Sequence, residues 1–280
     1  MKERVGVVGA GLMGSEIALV YALAGHDVRL ADRSLDQVGA ALARLVTIVE
    51  KGVARGFYAQ VDANAALARI VPSIVEDFAD RDFVTEAVFE EVTVKAQVLV
   101  SLDRACSEAC LIATNTSTIP ISTLASRLPP VRRARFVGTH YFSPVSRMKL
   151  VEVIPGFDTA QATTDAVTAL CVGAGKTPVR VKDVAGFAVN RVLHMFLIEA
   201  VRLVEEGVAT PEDIDIACKL GLGHPIGPFE LMDVTTSSLC LQAQEIMFDA
   251  YGERFRPRPL LKQRVEAGLV GGRNAKGWRR

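Results

Sequence analysis

Between residues 136 and 153 the sequence reads FVGTHYFSPVSRMKLVEV, which puts His140 and Glu152 on two strand-like apolar runs joined by a turn rich in Ser and Pro. Such a pair suits proton transfer near neutral pH, because an imidazole takes and returns a proton while a carboxylate on its other side holds its tautomer. The chain has 4 histidines, at positions 26, 140, 194 and 224. His26 lies in an AGHD turn that leads back into a strand, at the sheet edge opposite any ligand. His194 lies within a mostly apolar helix and fits a core or interface role. His224, in GLGHPIGP, either lines a pocket or shapes its loop. His140 closes a strand just before Tyr141-Phe142 and a Ser-Pro turn, so it is the best-placed base. Glu152 has apolar neighbours on both sides and needs a partner, because burying a carboxylate unpaired is costly.

A general base needs something to work with, and the N-terminus supplies it. Arg4-Val5-Gly6-Val7-Val8 reads as a strand that runs into Gly9-Ala10-Gly11-Leu12-Met13-Gly14, followed by Ile17, Ala18 and Tyr21 at helical spacing. In that setting Gly9 permits a tight turn, Gly11 lets a pyrophosphate approach the backbone, and Gly14 lets helix and strand pack closely. The phosphates then sit at a helix N-terminus, beside Leu12 and Met13. Asp32 stands at the end of the next strand, HDVRLAD, eighteen residues beyond Gly14, where a carboxylate meets a ribose 2′-hydroxyl. A carboxylate there repels a 2′-phosphate, so NAD is favoured over NADP, with Arg33 next door as the opposing influence. The alternative is a glycine turn of another α/β protein in which Asp32 caps a helix.

The next strands are expected at 69–74 and 82–88, so the excursion over about 34–68 is longer than a crossover needs. Its sequence reads as two helices with a break near Gly52–Gly56, carrying cations at Arg44, Lys51 and Arg55. Such a hairpin can clamp a second ligand, or its cations form a solvated face. The sheet continues through a helix over 91–104 and a strand over 111–114 that leads into Asn115-Thr116-Ser117-Thr118. Glu90, Asn115 and Ser117 fall in turns at strand C-terminal ends, where they contact a ligand or cap the following helix.

The 280 residues are 50% hydrophobic and 23% charged, enough for two ordinary cores. The 32 basic and 32 acidic residues cancel, which removes any long-range attraction to nucleic acid or membrane surfaces and leaves a small molecule or a second copy as the partner. The N-terminus has the early charge and apolar stretch of a signal peptide, but Glu16 and the glycines spoil that reading. No run is long enough to span a bilayer, and the 5 cysteines lack CxxC spacing, so a reduced cytoplasmic chain with no metal is expected. After a strand over 177–182 the sequence turns helical. A long helix is expected over 187–206, then an N-cap at Thr210-Pro211, and helices over 228–250 and 258–268. The first is apolar enough to require burial on several sides, as the core of a small domain or half of a dimer interface. The expected fold is α/β: a Rossmann-like dinucleotide-binding domain over 1–185 with a helical insertion, then an all-α C-terminal domain over 186–280.

Nearly end to end, the segments GAGLMGSEIA, TEAVFEEVTVK, ATNTSTIPI, GTHYFSP with MKLVEVI, KTPVRVKDVAGFAVNR and GHPIGPFELMD resemble the L-3-hydroxyacyl-CoA dehydrogenases, especially the short bacterial 3-hydroxybutyryl-CoA dehydrogenases. The resemblance implies an NAD-dependent oxidation of (S)-3-hydroxyacyl-CoA, with His140 as base or acid and Glu152 orienting it. Ser117 and Asn190 would hold the substrate's oxygens, and Glu90, Lys95 and Ser117 would line the nicotinamide end. Lys51 looks like the position that meets the CoA phosphates. Ser143 stands where many members carry Asn beside the nicotinamide, Arg273 aligns with a basic residue that reaches the cofactor, and Trp278 replaces a common Phe. TTSS also replaces a usual Gly-containing loop after Asp233. These departures bear on substrate identity and leave the catalytic pair intact. A homodimer through residues after 186 is also implied. Relatives of this fold act on carrier-protein-bound hydroxyacyl groups, L-carnitine or a sugar acid, and a nucleotide sensor that lost catalysis is the alternative from another class.

Overall fold

Short runs rich in Val, Ile and Leu form the strands of the first unit: β1 (Arg4–Val8), β2 (Asp27–Ala31), β3 (Ile70–Ser73), β4 (Phe83–Glu86), β5 (Leu111–Thr114), β6 (Phe136–Tyr141), β7 (Leu150–Pro155) and β8 (Thr177–Arg180). They make one sheet in the order β3-β2-β1-β4-β5-β6-β7-β8. The ladders from β3 to β6 are parallel, β6 and β7 are antiparallel, and β7 and β8 are parallel. Parallel strands covered on both faces are buried along their length, as β1 is after Arg4 and as β4 and β6 are throughout, although β4 and β6 carry polar residues. The order reverses between β1 and β4, which opens a crevice beyond the strand C-termini where ligands bind in such sheets. The computed structural model describes residues 2–272 and 275–279. It divides into two units, Met1–Val184 and Ala185–Arg280.

Helices α1 (Leu12–Leu23), α2 (Leu35–Ala54), α3 (Gln60–Ala68), α4 (Val92–Ala105), α5 (Ile121–Ala125), α6 (Pro130–Arg133) and α7 (Gln161–Gly173) complete the first unit. The excursion between β2 and β3 is the hairpin of α2 and α3, with Ser34 capping α2 through the Gln37 amide. One core cluster runs from Val5, Val7 and Ile17 through Val38, Leu45 and Val49 to Tyr141, Val151 and Cys171. Helix α7 leaves no clear trace in the sequence, because its buried face mixes Thr163 and Thr164 with Val167 and Cys171. The hydroxyl of Thr163 is satisfied by the Ala134 carbonyl at 2.8 Å.

The second unit contains α8 (Val189–Glu205), α9 (Pro211–Gly221), α10 (Pro228–Thr235), α11 (Ser237–Tyr251) and α12 (Pro259–Glu266). The single helix expected over 228–250 is two. Thr236 adopts a positive φ of 79° between them, and its side chain accepts the Leu239 amide to cap α11. Within the single chain the long helix is buried along one face. Helix α8 buries His194, Leu197, Ile198, Ala200 and Val201 along one face, while Val192 on the other is 75% exposed. Leu197, Val201, Phe229, Met232, Leu261 and Trp278 form the main core of this unit. The Trp278 indole donates to Ser237 Oγ at 2.9 Å and its ring lies 4.8 Å from Phe229, which ties the tail to the helices. No helix among the described residues is long and apolar enough to cross a membrane.

Candidate active site

The turn after β1 is shaped by its glycines. Gly9 has φ 103°, a conformation that side chains resist, and a Cβ on Gly14 would lie 1.8 Å from the Gly9 carbonyl oxygen. Gly11 differs: a Cβ there would meet nothing within 4 Å. Helix α1 begins at Leu12 with no side-chain cap, so no capping side chain competes with a phosphate for its first amides. Asp32, just past β2, accepts the Ala10 amide at 2.6 Å and the Arg33 amide at 2.7 Å, which fixes a carboxylate beside the loop. Arg44, from α2, donates to the Ala10 carbonyl at 2.7 Å, so one of the insertion's cations braces the glycine loop from outside. These residues fit a dinucleotide. Leu12 is exposed and Met13 half-buried at the mouth of the loop.

A buried charged cluster lies beyond the ends of β4 and β5. Glu86 closes β4, wholly buried, and accepts the Val88 amide, the Lys95 ammonium at 2.8 Å and the Thr114 hydroxyl at 2.6 Å. Lys95, on the first turns of α4 and also enclosed, lies 3.3 Å from Glu90. Glu90 Oε1 accepts the Thr116 hydroxyl at 2.6 Å, the Ser117 amide at 2.8 Å and the Thr118 amide at 3.0 Å. Burial pushes the Glu90 carboxyl up, but Lys95 and the donated hydrogen bonds outweigh it and hold it below the usual carboxylate range. Glu90 thereby shapes the loop that carries Ser117, which is half-buried. Lys95 stands behind Glu90 with 1% of its side chain exposed, so its influence passes through that carboxylate. The signal for Glu86 was available in the sequence: a charge inside the buried strand run DFVTEAV.

His140 and Glu152 face each other directly across the antiparallel β6/β7 ladder. The Nδ1 of His140 donates to Glu152 Oε2 at 2.8 Å, and the two residues are 5% and 1% exposed. With the proton held on Nδ1 by a carboxylate, Nε2 is the ring nitrogen that such an arrangement can use for proton exchange. The Phe142 ring lies 4.4 Å from the imidazole. Asn115, buried just past β5, accepts the Tyr141 amide at 2.9 Å and so ties the loop after β5 to the end of β6. The other histidines lie elsewhere. Buried His26 accepts the Glu3 amide at the opposite sheet edge, His194 is in the second unit's core, and exposed His224 meets the edge of Phe196.

Ser143 lies exposed two residues beyond β6, and Lys51 lies exposed in the last turn of α2. The tip of that hairpin meets the β6–β7 turn, where the Arg147 guanidinium stacks 3.7 Å over the Phe57 ring. Asn190 is half-buried on the first turn of α8, in the second unit. Arg273 lies outside the described residues.

Sequence profiles now place these features. Residues 4–184 match the 3-hydroxyacyl-CoA dehydrogenase NAD binding domain, and residues 186–280 match the 3-hydroxyacyl-CoA dehydrogenase C-terminal domain. The chain belongs to the 3-hydroxyacyl-CoA dehydrogenase family. It is an NAD-dependent oxidoreductase by that membership. A probable 3-hydroxybutyryl-CoA dehydrogenase of Bacillus subtilis is 38% identical over 278 residues, covering 99% of this chain and 96% of that one. Among solved structures, FadB2 of Mycobacterium tuberculosis aligns with a TM-score of 0.95 at 36% identity, covering 99% of this chain and 98% of that chain. The (S)-3-hydroxybutyryl-CoA dehydrogenase PaaH1 of Ralstonia eutropha aligns with a TM-score of 0.93 at 36% identity, with the same coverage. In this 3-hydroxyacyl-CoA dehydrogenase fold, the glycine loop, the Glu86–Lys95–Glu90 cluster and the His140–Glu152 pair all fall within the NAD-binding domain.

Proposed function

We propose that this chain oxidises (S)-3-hydroxyacyl-CoA thioesters to 3-oxoacyl-CoA, reversibly, with short chains such as 3-hydroxybutyryl-CoA and acetoacetyl-CoA as substrates. The observation that carries the reading is the buried 2.8 Å hydrogen bond from His140 to Glu152, in a chain whose relatives bear that substrate in their names. NAD, held by Gly9, Gly11, Gly14 and Asp32, supplies the acceptor for the C3 hydride when bound. Nε2 of His140 takes the proton of the 3-hydroxyl as the carbonyl forms, and Glu152 stabilises the imidazolium that results. In reduction the same nitrogen returns the proton to the carbonyl oxygen. Ser117 and Asn190 are assigned to the substrate's oxygens, and Glu90, Ser143 and Arg273 to the nicotinamide end, on the family resemblance.

Lys51 is assigned to the CoA phosphates. Its support is the cationic hairpin, whose tip stacks on the turn after His140. NAD is favoured over NADP by Asp32. A homodimer through the second unit is part of the reading, supported by exposed apolar side chains there such as Val192, Leu220 and Val234. A cytoplasmic location agrees with the 5 free cysteines.

The test is NADH and NADPH turnover across free, CoA-linked and carrier-protein-linked 3-oxo acids. The expected outcome is NADH oxidation with acetoacetyl-CoA well above every other pairing. Turnover confined to a carrier-linked or free acid would replace CoA in this reading.

A further inference from the structure

An acidic side chain within an apolar helix calls for a partner. Glu16 is such a residue. It lies on α1, one turn beyond the glycine loop, and is 4% exposed. Its Oε2 accepts the Ser146 amide at 2.8 Å. Ser146 is in the turn between β6 and β7, far away in sequence and directly after the His140 strand.

The same turn is held from another side by Lys176, which links α7 to β8 and is 9% exposed. Its ammonium donates to the Val145 carbonyl and, at 2.9 Å, to the Met148 carbonyl. Burial draws the Lys176 ammonium below the usual lysine range, and the Glu16 carboxylate opposes that shift, so the two charges lie within electrostatic reach. Within the turn itself, the Arg147 and Met148 amides donate to the Pro144 carbonyl at 3.0 and 2.9 Å. Helix α1 also meets the catalytic strand through the Tyr21 and Tyr141 hydroxyls, 2.6 Å apart.

We infer that Glu16 and Lys176 are positioning residues that clamp the β6–β7 turn to the helix carrying the glycine loop. The clamp holds Phe142, and through it the His140 ring, at a fixed offset from the cofactor end of α1. A short turn joined only at its strand ends is free to tilt. Three backbone groups pinned by two buried charges are not, and small displacements at a reacting centre are expensive. This inference rests on His140 being the acid–base group.

The experiment combines hydrogen–deuterium exchange with steady-state kinetics on Glu16→Ala, Lys176→Met and Glu16→Gln. In Glu16→Ala, exchange at residues 142–149 should rise about tenfold as the Ser146 acceptor is lost, with β4 and β5 unchanged. In the same variant kcat for acetoacetyl-CoA should fall about tenfold while KM for NADH stays within about twofold. Lys176→Met should reproduce both effects from the other side, and Glu16→Gln, which keeps an acceptor oxygen, should restore them. Unchanged exchange in the turn, or a lower Tm with kcat intact, would overturn the clamp. If the wild-type protein leaves acetoacetyl-CoA untouched, the substrate reading fails, and exchange still decides the clamp.

Discussion

His140 was legible by elimination of the other histidines and by its place at a strand end, and the cost of an unpaired buried carboxylate made it the natural partner of Glu152. The ladder puts them opposite each other. Glu16 and Lys176 were not legible as partners, since nothing in sequence spacing connects α1 or the start of β8 to a turn at Ser146. The glycine loop yields two opposite predictions at neighbouring positions. Gly11→Ala adds a methyl into open space, so Tm should hold while NADH affinity, read by fluorescence titration, falls about tenfold because the pyrophosphate is held off the backbone. Gly14→Ala drives a methyl onto the Gly9 carbonyl, so it should lower stability by about 3 kcal/mol or prevent folding, as a thermal melt would reveal. Equal effects from the two substitutions would refute this reading of the loop.

Among the elements, the strands and α1 follow directly from periodicity and the glycine fingerprint. The break between α10 and α11 does not, because Thr236 favours no break by composition and only its φ of 79° and its cap on Leu239 reveal one. Helix α8 carries a pH prediction. His194 on its buried face has Nδ1 without a hydrogen-bond partner among the described residues, and burial lowers its pKa to about 4. The unfolded chain binds this proton near pH 6.5 and the folded chain does not until about pH 4, so stability is present above 6.5 and lost as pH falls between those values. The loss should approach about 3 kcal/mol at pH 4. His194→Leu should flatten that acid limb in urea unfolding measured from pH 7 to pH 4. A variant with the same acid limb as wild type would place the sensitivity elsewhere.

For the whole molecule, the division at Val184 and Ala185 follows a change in sequence from alternating strands and helices to helices alone. A helical unit that leaves Val192 75% and Leu220 84% exposed has apolar surface to cover. Light scattering at micromolar concentration should therefore report about twice the 30.1 kDa chain mass, and Val192→Glu should shift it toward monomer. Monomer alone in the wild type would remove the dimer from the reading. The chemistry is more direct to test. NADH oxidation by acetoacetyl-CoA should fall about 100- to 10,000-fold in His140→Ala, with NADH affinity unchanged. Undiminished turnover in that variant would contradict the assignment of His140 as the acid–base group.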